Sequence, residues 1–549
     1  MGHGAGRRDP SDRPGRRRSP VGLRPAGAGR QPGRRARQHH GHPGLLPSGV
    51  EAEAGGVTRS KDYYALLGVP RDASLEQLRR AYREAALRLH PDRNVRAGDT
   101  ELFLEIGRAY EILSDPARRA EYDLTLAELD RQAAEDARLY CTVLHSRRSL
   151  LPLDEPQVHY LLLDILPSET AEFVRPPINV CIVIDRSTSM RGQRLDQVRS
   201  ATLAILKDLE PADSACIVAF SDRAEVVVTH DQARDLTSAR SRLSLLTAGG
   251  GTEIGQGLEL GMAELQKAFT TEGVNHLILL TDGRTYGDEE LCLQIADRAA
   301  AKGITLNGVG IGADWSDRLL DDLASRSGGN VLFLDTPKAI TDLLQRIFDS
   351  LGKAFASRVR LEGACGDQVD LRAAFRLLPE PMPMGDTLPM HLGHLPRDGR
   401  IRLLLEVVIH PVSSQTHMKL ADLQLTADIL GRDASPESLP VSIALPVSKT
   451  PDPEPAPNDI VAALSQIALY SMQEKARHEA ELGQSTQAAR RLENLATQLL
   501  AANERDLAKA ALGEAERLAH SRRLSTEGEK VLKYGTRALL LLPARTGPP

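Results

Sequence analysis

The chain has 549 residues, of which 41% are hydrophobic and 26% charged, with a formal net charge of −5. That length accommodates about three or four domains, and no run of roughly 18 apolar residues offers a membrane span. Cys141, Cys181, Cys216, Cys292 and Cys365 are scattered without a C-x-x-C pair, which argues against a zinc site or disulfide framework and for a reducing, cytoplasmic setting.

Residues 1–58 are rich in Arg, Gly and Pro with almost no large apolar side chains, a composition expected to stay disordered. Basic runs also neutralise phosphates, but no aromatic residue is interleaved to stack on bases. A flexible tail is therefore expected in preference to a nucleic-acid-binding arm. The N-terminus also lacks the continuous apolar core of a secretory signal.

Residues 60–125 read as a small all-α unit. Ser74 followed by Gln77 is a capping box, and Leu75, Leu78, Tyr82, Ala85 and Leu89 recur at helical spacing to form an apolar stripe. Arg79, Arg80, Arg83 and Arg88 fall largely off that stripe, so the outer face is basic. Pro91 ends the helix, and a second helix carries Phe103, Ile106, Tyr110 and Leu113. Asp115-Pro116 then places a cap and a first-position proline at the start of a last helix. An antiparallel hairpin with His90-Pro91-Asp92 at its tip results.

An HPD tripeptide alone could be a plain turn. Here "DYYALLGV" precedes it and "AYEILSDPARRAEYD" follows it, and the whole resembles the J domain of DnaJ-type co-chaperones. The resemblance implies that His90, Pro91 and Asp92 contact a DnaK-type chaperone and stimulate its ATP hydrolysis. Arg79, Arg80 and Arg83 would steer an acidic surface on that chaperone, with Glu84 weakening the steering slightly. The zinc-binding cysteine repeats and Gly/Phe-rich segment of that family are absent, so another part of the chain must choose the client.

After a helical connector at 126–154, residues 155–350 change texture. The apolar runs "VCIVID", "SACIVAF", "VNHLILLTD", "ITLNGVGIG" and "NVLFLD" alternate with helical stretches near 192–209, 253–269, 287–302 and 316–327. Such alternation predicts an α/β, doubly wound, mostly parallel sheet, whose ligands bind at the carboxyl ends of its strands. Asp185 and Asp282 each end a strand, and Thr252 follows three glycines. Asp185, Ser187 and Ser189 can share one side of a near-extended segment, gathering oxygen atoms as a small hard cation requires. The same residue types cap helices, and spacing alone leaves both readings open.

The set D-x-S-x-S, a Thr after a Gly-rich turn, and "LLTDG" resembles the von Willebrand factor A domain and its metal-ion-dependent adhesion site. That resemblance implies Mg²⁺ or Mn²⁺ held directly by Ser187, Ser189 and Thr252, with Asp185 and Asp282 acting largely through water. An ion with neutral direct ligands would attract an acidic side chain from a protein client. Thr188 stands where a glycine is common, which tightens the loop without removing a ligand.

Other chemistries fail on spacing. Gly308, Gly310 and Gly312 give G-x-G-x-G, not a dinucleotide fingerprint, and neither a phosphate loop nor G-x-S-x-G nor H-E-x-x-H occurs. No catalytic constellation is present, so a binding protein is expected. Residues 355–448 read as short strands of a β-sandwich, to which "QVHYLLLDI" (157–165) could add a strand. A Pro-rich linker follows at 449–458, then a C-terminal α-helical region at 459–549 in which 492–512 suits a helical hairpin. The multidomain reading is a cytoplasmic co-chaperone that selects a client through the metal site. The alternative is a scaffold in which the helical tip only recruits the chaperone for assembly or disassembly.

Overall fold

The computed structural model describes residues 63–69, 71, 73–89, 99–285, 287–411, 416–431, 435–450 and 454–541. The Arg-rich tail and the His90-Pro91-Asp92 tip lie outside them. The chain divides into two units, Met1–Leu126 and Ala127–Pro549.

The first unit is built on α1 (Tyr63–Leu67), α2 (Leu75–Leu89), α3 (Asp99–Ser114) and the first half of α4 (Pro116–Asp136), which continues past the boundary at Leu126. The capping box at the start of α2 forms: Gln77 Oε1 accepts from the Ser74 amide at 2.7 Å, and Ser74 Oγ accepts from the Gln77 amide at 3.3 Å. Asp115 caps α4 by accepting from the Ala117 and Arg118 amides. Leu78, Ala85, Ile106 and Leu113 are buried together, each large aliphatic side chain stabilising by roughly 1.5–3 kcal/mol. Tyr82 and Tyr110 stack across the pair with ring centroids 4.4 Å apart. Leu75, expected in the stripe, is instead exposed, because it sits in the first turn beyond the end of that contact.

In the second unit, the strands are β1 (Leu139–His145), β2 (Gln157–Pro167), β3 (Ile178–Asp185), β4 (Ser214–Phe220), β5 (Ala224–Val228), β6 (Val274–Thr281), β7 (Ile304–Ile311) and β8 (Val331–Leu334). They continue with β9 (Ala354–Cys365), β10 (Val369–Leu378), β11 (Met382–Gly385), β12 (Met390–Pro396), β13 (Ile401–Ile409), β14 (His417–Ile429) and β15 (Ser435–Pro446). The helices are α5 (Gln193–Lys207), α6 (His230–Ala233), α7 (Leu236–Ser244), α8 (Ile254–Lys267), α9 (Glu289–Ala301), α10 (Asp317–Ser327) and α11 (Ile340–Gly352), then α12 (Asn458–Glu481), α13 (Ser485–Ala501), α14 (Arg505–Ser521) and α15 (Thr526–Ala538).

Strands β5-β4-β3-β6-β7-β8 form one sheet, parallel except for the antiparallel edge strand β5. Its central strand shows why a continuous apolar run folds this way. Val180, Ile182 and Ile184 of β3 pack with α5, α7 and α11, whereas Cys181 and Val183 pack with α8, α9 and α10. Both faces are covered, so every residue of β3 is buried.

A sandwich follows, with sheets β1-β2-β13-β10-β11 and β12-β9-β14-β15. The 126–154 segment was expected to be helical throughout; instead its helix ends at Asp136 and β1 pairs antiparallel with β2. The physical reason is that "LYCTVLH" carries aromatic and β-branched residues with an exposed sheet edge available to it. A buried pair joins the two parts of this unit: His276 Nδ1 of β6 lies 3.4 Å from His394 Nε2 of β12. They line a chamber of about 80 Å³ with Asn307, Asn330, Arg376 and Glu380. Burial drives both imidazoles down, with His394 a lesser cause at His276 and Arg376 a lesser cause at His394, which falls to about 4. Below pH ~6.5 the unfolded chain binds protons that the folded pair refuses, so stability should fall from there towards pH ~4. Urea unfolding at about pH 7.5 and about pH 5 should show this loss, and His394→Gln should reduce it; an unchanged difference would remove the pair as its source.

The C-terminal helices share a core of Leu492, Leu495, Leu499, Ala511, Leu518 and Leu532. α15 docks on α10 through charge: Arg537 donates to both Asp321 carboxylate oxygens at 2.8 and 3.0 Å, and Lys533 Nζ lies 2.7 Å from the same group. Asp321→Ala would leave two largely buried cations without that partner, a loss of about 3 kcal/mol or more. Thermal unfolding and limited proteolysis of the C-terminal helices would register it; a parent-like profile would mean the pairs contribute little.

Candidate functional site

The carboxyl ends of β3 and β6 carry the oxygen-bearing residues. β3 delivers Asp185 at its last position, fully buried. Asp185 Oδ1 accepts from the Ser187 amide and Oδ2 from Thr281 Oγ1, each at 2.7 Å. Both carboxylate oxygens are thus engaged by the protein. Burial raises the Asp185 pKa above its ordinary value, opposed by the hydrogen bonds from Ser187 and Thr281.

Ser187 Oγ and Ser189 Oγ lie 3.0 Å apart, and Ser189 Oγ donates to Asp282 Oδ1 at 2.6 Å. Asp282 follows the last residue of β6 and is itself buried. Thr252 approaches from the Gly-rich turn before α8. A Cβ added at Gly283 would stand 3.0 Å from Thr252 Oγ1, so the glycine after Asp282 leaves the close approach open. Gly250 in that turn has φ +87°, and Asp222 fixes it further by accepting from the Gly251 amide at 2.7 Å.

The helix-cap alternative finds no hydrogen bond to carry it. Ser187 precedes the short 3-10 turn Thr188–Met190 without a side-chain cap, and α5 is preceded by Gly192. Thr188 instead ties its loop to the glycine turn, its amide and hydroxyl both donating to the Gly250 carbonyl. Asp185, Ser187, Ser189 and Asp282 belong to one hydrogen-bonded group, and the Thr252 hydroxyl stands beside Gly283, the next residue after Asp282, so the donor set is three neutral and two acidic hard oxygens. That donor set fits a small divalent cation such as Mg²⁺ and not a soft metal.

Sequence reasoning missed three neighbours. Thr281 braces Asp185, Asp222 braces the glycine turn, and Arg194 of α5 pairs with Asp282. Arg186 pairs with Glu225 at 3.4 Å. Gly310 is there for packing: a Cβ would overlap the Trp315 ring.

On the first unit, Arg79, Arg80 and Arg83 are exposed on α2. Arg80 Nε donates to Glu84 at 2.9 Å and Arg83 Nε to the Arg79 carbonyl at 3.2 Å. Glu84 therefore engages part of the basic face.

Three family models match: a DnaJ domain over 62–123, a von Willebrand factor type A domain over 179–346, and an Sll0103-like C-terminal alpha-helical domain over 458–542. The chain joins a DnaJ domain to a von Willebrand factor type A domain, and the second unit carries the latter fold. It is similar to the uncharacterized protein sll0103 of Synechocystis, 29% identical over 46% of this chain and 62% of that protein. It is also similar to the chaperone protein DnaJ of Cyanothece, 58% identical over 12% of this chain and 17% of that one. Mouse DnaJ homolog subfamily B member 14 is 49% identical over 13% of this chain and 19% of its own length. This chain thus spans under two thirds of each of these relatives. Among solved structures, a von Willebrand factor type A protein from Catenulispora acidiphila shares the fold, with TM-score 0.57, 16% identity, 73% of this chain covered and 96% of that one. No helix among the described residues is long and apolar enough to cross a membrane.

Proposed function

We propose that this protein is a cytoplasmic, non-enzymatic co-chaperone. His90, Pro91 and Asp92 stimulate a DnaK-type chaperone's ATPase, with Arg79, Arg80 and Arg83 steering the encounter. A Mg²⁺-dependent site of Asp185, Ser187, Ser189, Thr252 and Asp282 selects the client. The observation that carries the reading is the convergence of Ser187, Ser189 and Asp282 within hydrogen-bond distance, beside an Asp185 whose two oxygens are already engaged.

The metal, when bound, supplies a Lewis-acidic position for a client carboxylate. Asp185 braces the Ser187 loop, the hydroxyls of Ser187, Ser189 and Thr252 would hold the ion, and Thr188 keeps the glycine turn close. Mn²⁺ shares the preference for oxygen donors and is the alternative ion. The test is retention of client from extract by the full chain in Mg²⁺ and its loss in excess chelator. Equal retention in both would end the metal-dependent reading.

A further inference from the structure

Arg194 is a charged residue in contact with this cluster that the metal-site reading leaves unused. It lies in the first turn of α5 with its side chain 34% exposed, whereas the carboxylate it meets, that of Asp282, is 0% exposed. Its Nη1 donates to Asp282 Oδ2 and lies 3.3 Å from the Ser189 carbonyl oxygen. Its Nη2 lies beside Gly312, where an added Cβ would come within 3.1 Å. The guanidinium therefore rests against one of the two carboxylates of the site and one of its serine loops, in a place that a side chain at position 312 would crowd.

A guanidinium stays protonated at any physiological pH. Held on Asp282, it offsets one of the two negative charges that Asp185 and Asp282 offer a cation. A divalent ion within a few ångströms of it would also feel direct repulsion in a partly buried, low-dielectric setting. Bracing Asp282 does not depend on this residue alone, because Ser189 Oγ already donates to the other oxygen at 2.6 Å. The arginine thus contributes charge more than orientation.

We infer that Arg194 is a tethered cation that competes with the divalent ion for Asp282 and so sets the ion concentration at which the site loads. The inference rests on the metal-binding reading. Loading displaces the guanidinium from Oδ2, and its partial exposure gives it a path into solvent. The displaced side chain then stands at the mouth of the site, where it can donate to a carboxylate from the client.

Isothermal titration of the full chain with Mg²⁺ alone, and with Mn²⁺ alone, tests this. Arg194→Gln removes the charge but keeps a donor, and should bind the ion about tenfold more tightly or better. Arg194→Ala should do the same, and Arg194→Lys, which keeps the charge, should stay near the parent. Near-UV circular dichroism confirms that each variant is folded. Unchanged or weaker binding in both Gln and Ala variants would overturn the inference, since a bracing residue weakens the site when removed. A parent and variants that all fail to bind either ion would overturn the metal reading itself, and the competition with it.

Discussion

Asp185→Ala is expected to reduce Mg²⁺ affinity by roughly a hundredfold or more while the parallel sheet remains folded. The carboxylate would supply one of the two negative charges near a bound ion, in surroundings that screen it poorly. It also holds the Ser187 amide at 2.7 Å, so its loss frees the loop that presents both serines. Two partly opposed effects bear on stability. The Ser187 amide and Thr281 hydroxyl lose an acceptor, at about 1–3 kcal/mol for a donor left buried. A carboxyl group whose charged form burial already disfavours is removed at the same time. The net change in unfolding free energy should therefore be small beside the change in ion affinity. Calorimetry with Mg²⁺, run beside urea unfolding, separates the two. Unaltered Mg²⁺ affinity in a folded variant would leave Asp185 as a brace for its loop and nothing more.

The strong periodicities of the sequence carried most of the fold. Runs such as "INVCIVID" are apolar on both faces, which only a doubly covered strand accommodates, and β3 is such a strand. The capping box at Ser74 and Gln77 forms as its spacing predicts. Shorter or mixed segments were less legible. The edge strand "AEVVV" (β5) and helices α6 and α7 fall in a stretch of mixed polar and apolar residues, where no single period dominates. Strand β10, "VDLRAAFRLL", contains helix-favouring Ala, Leu and Arg; its place beside β13 is fixed by tertiary pairing, not local propensity. β1 was hidden for a related reason, because its partner β2 lies beyond an irregular segment.

The site was more legible than its surroundings. The near-extended run expected over 185–189 is instead a strand end followed by the 3-10 turn Thr188–Met190, because the chain turns over the sheet edge there. Asp185, Ser187, Ser189 and Asp282, which the family resemblance singled out, nevertheless lie within one hydrogen-bonded group. Thr281 could have been noticed as the residue before Asp282, at the end of the neighbouring strand. Arg194 could not, because its contact depends on how the first turn of α5 is set against the end of β6. Nothing in the spacing of a single sequence reports that.

Client retention and chaperone stimulation should separate cleanly, and this is the largest effect expected of the whole chain. His90→Gln should abolish stimulation of a DnaK-type ATPase, since the HPD tripeptide is what the DnaJ resemblance assigns to that contact. The substitution leaves the core residues Leu78, Ala85, Ile106 and Leu113 untouched, so the helices should keep their thermal stability. The same variant should hold client in Mg²⁺ as well as the parent does. Chelator should have the reverse effect: client is released, and stimulation persists. The reason is chemical. The proposed metal site is built from hydroxyls and carboxylates near the ends of β3 and β6, whereas the DnaJ resemblance assigns the chaperone contact to His90, Pro91 and Asp92, so each activity should be lost without the other. The client contact itself should depend on one acidic residue of the client, because an ion held directly by neutral hydroxyls would attract an anion. Changing that residue to its amide should abolish retention while preserving the client's fold. A client that stays bound in excess chelator, or that needs His90 for retention, would contradict the division of labour. It would favour the scaffold alternative, in which the second unit assembles a complex by other surfaces and the DnaJ domain only brings the chaperone to it.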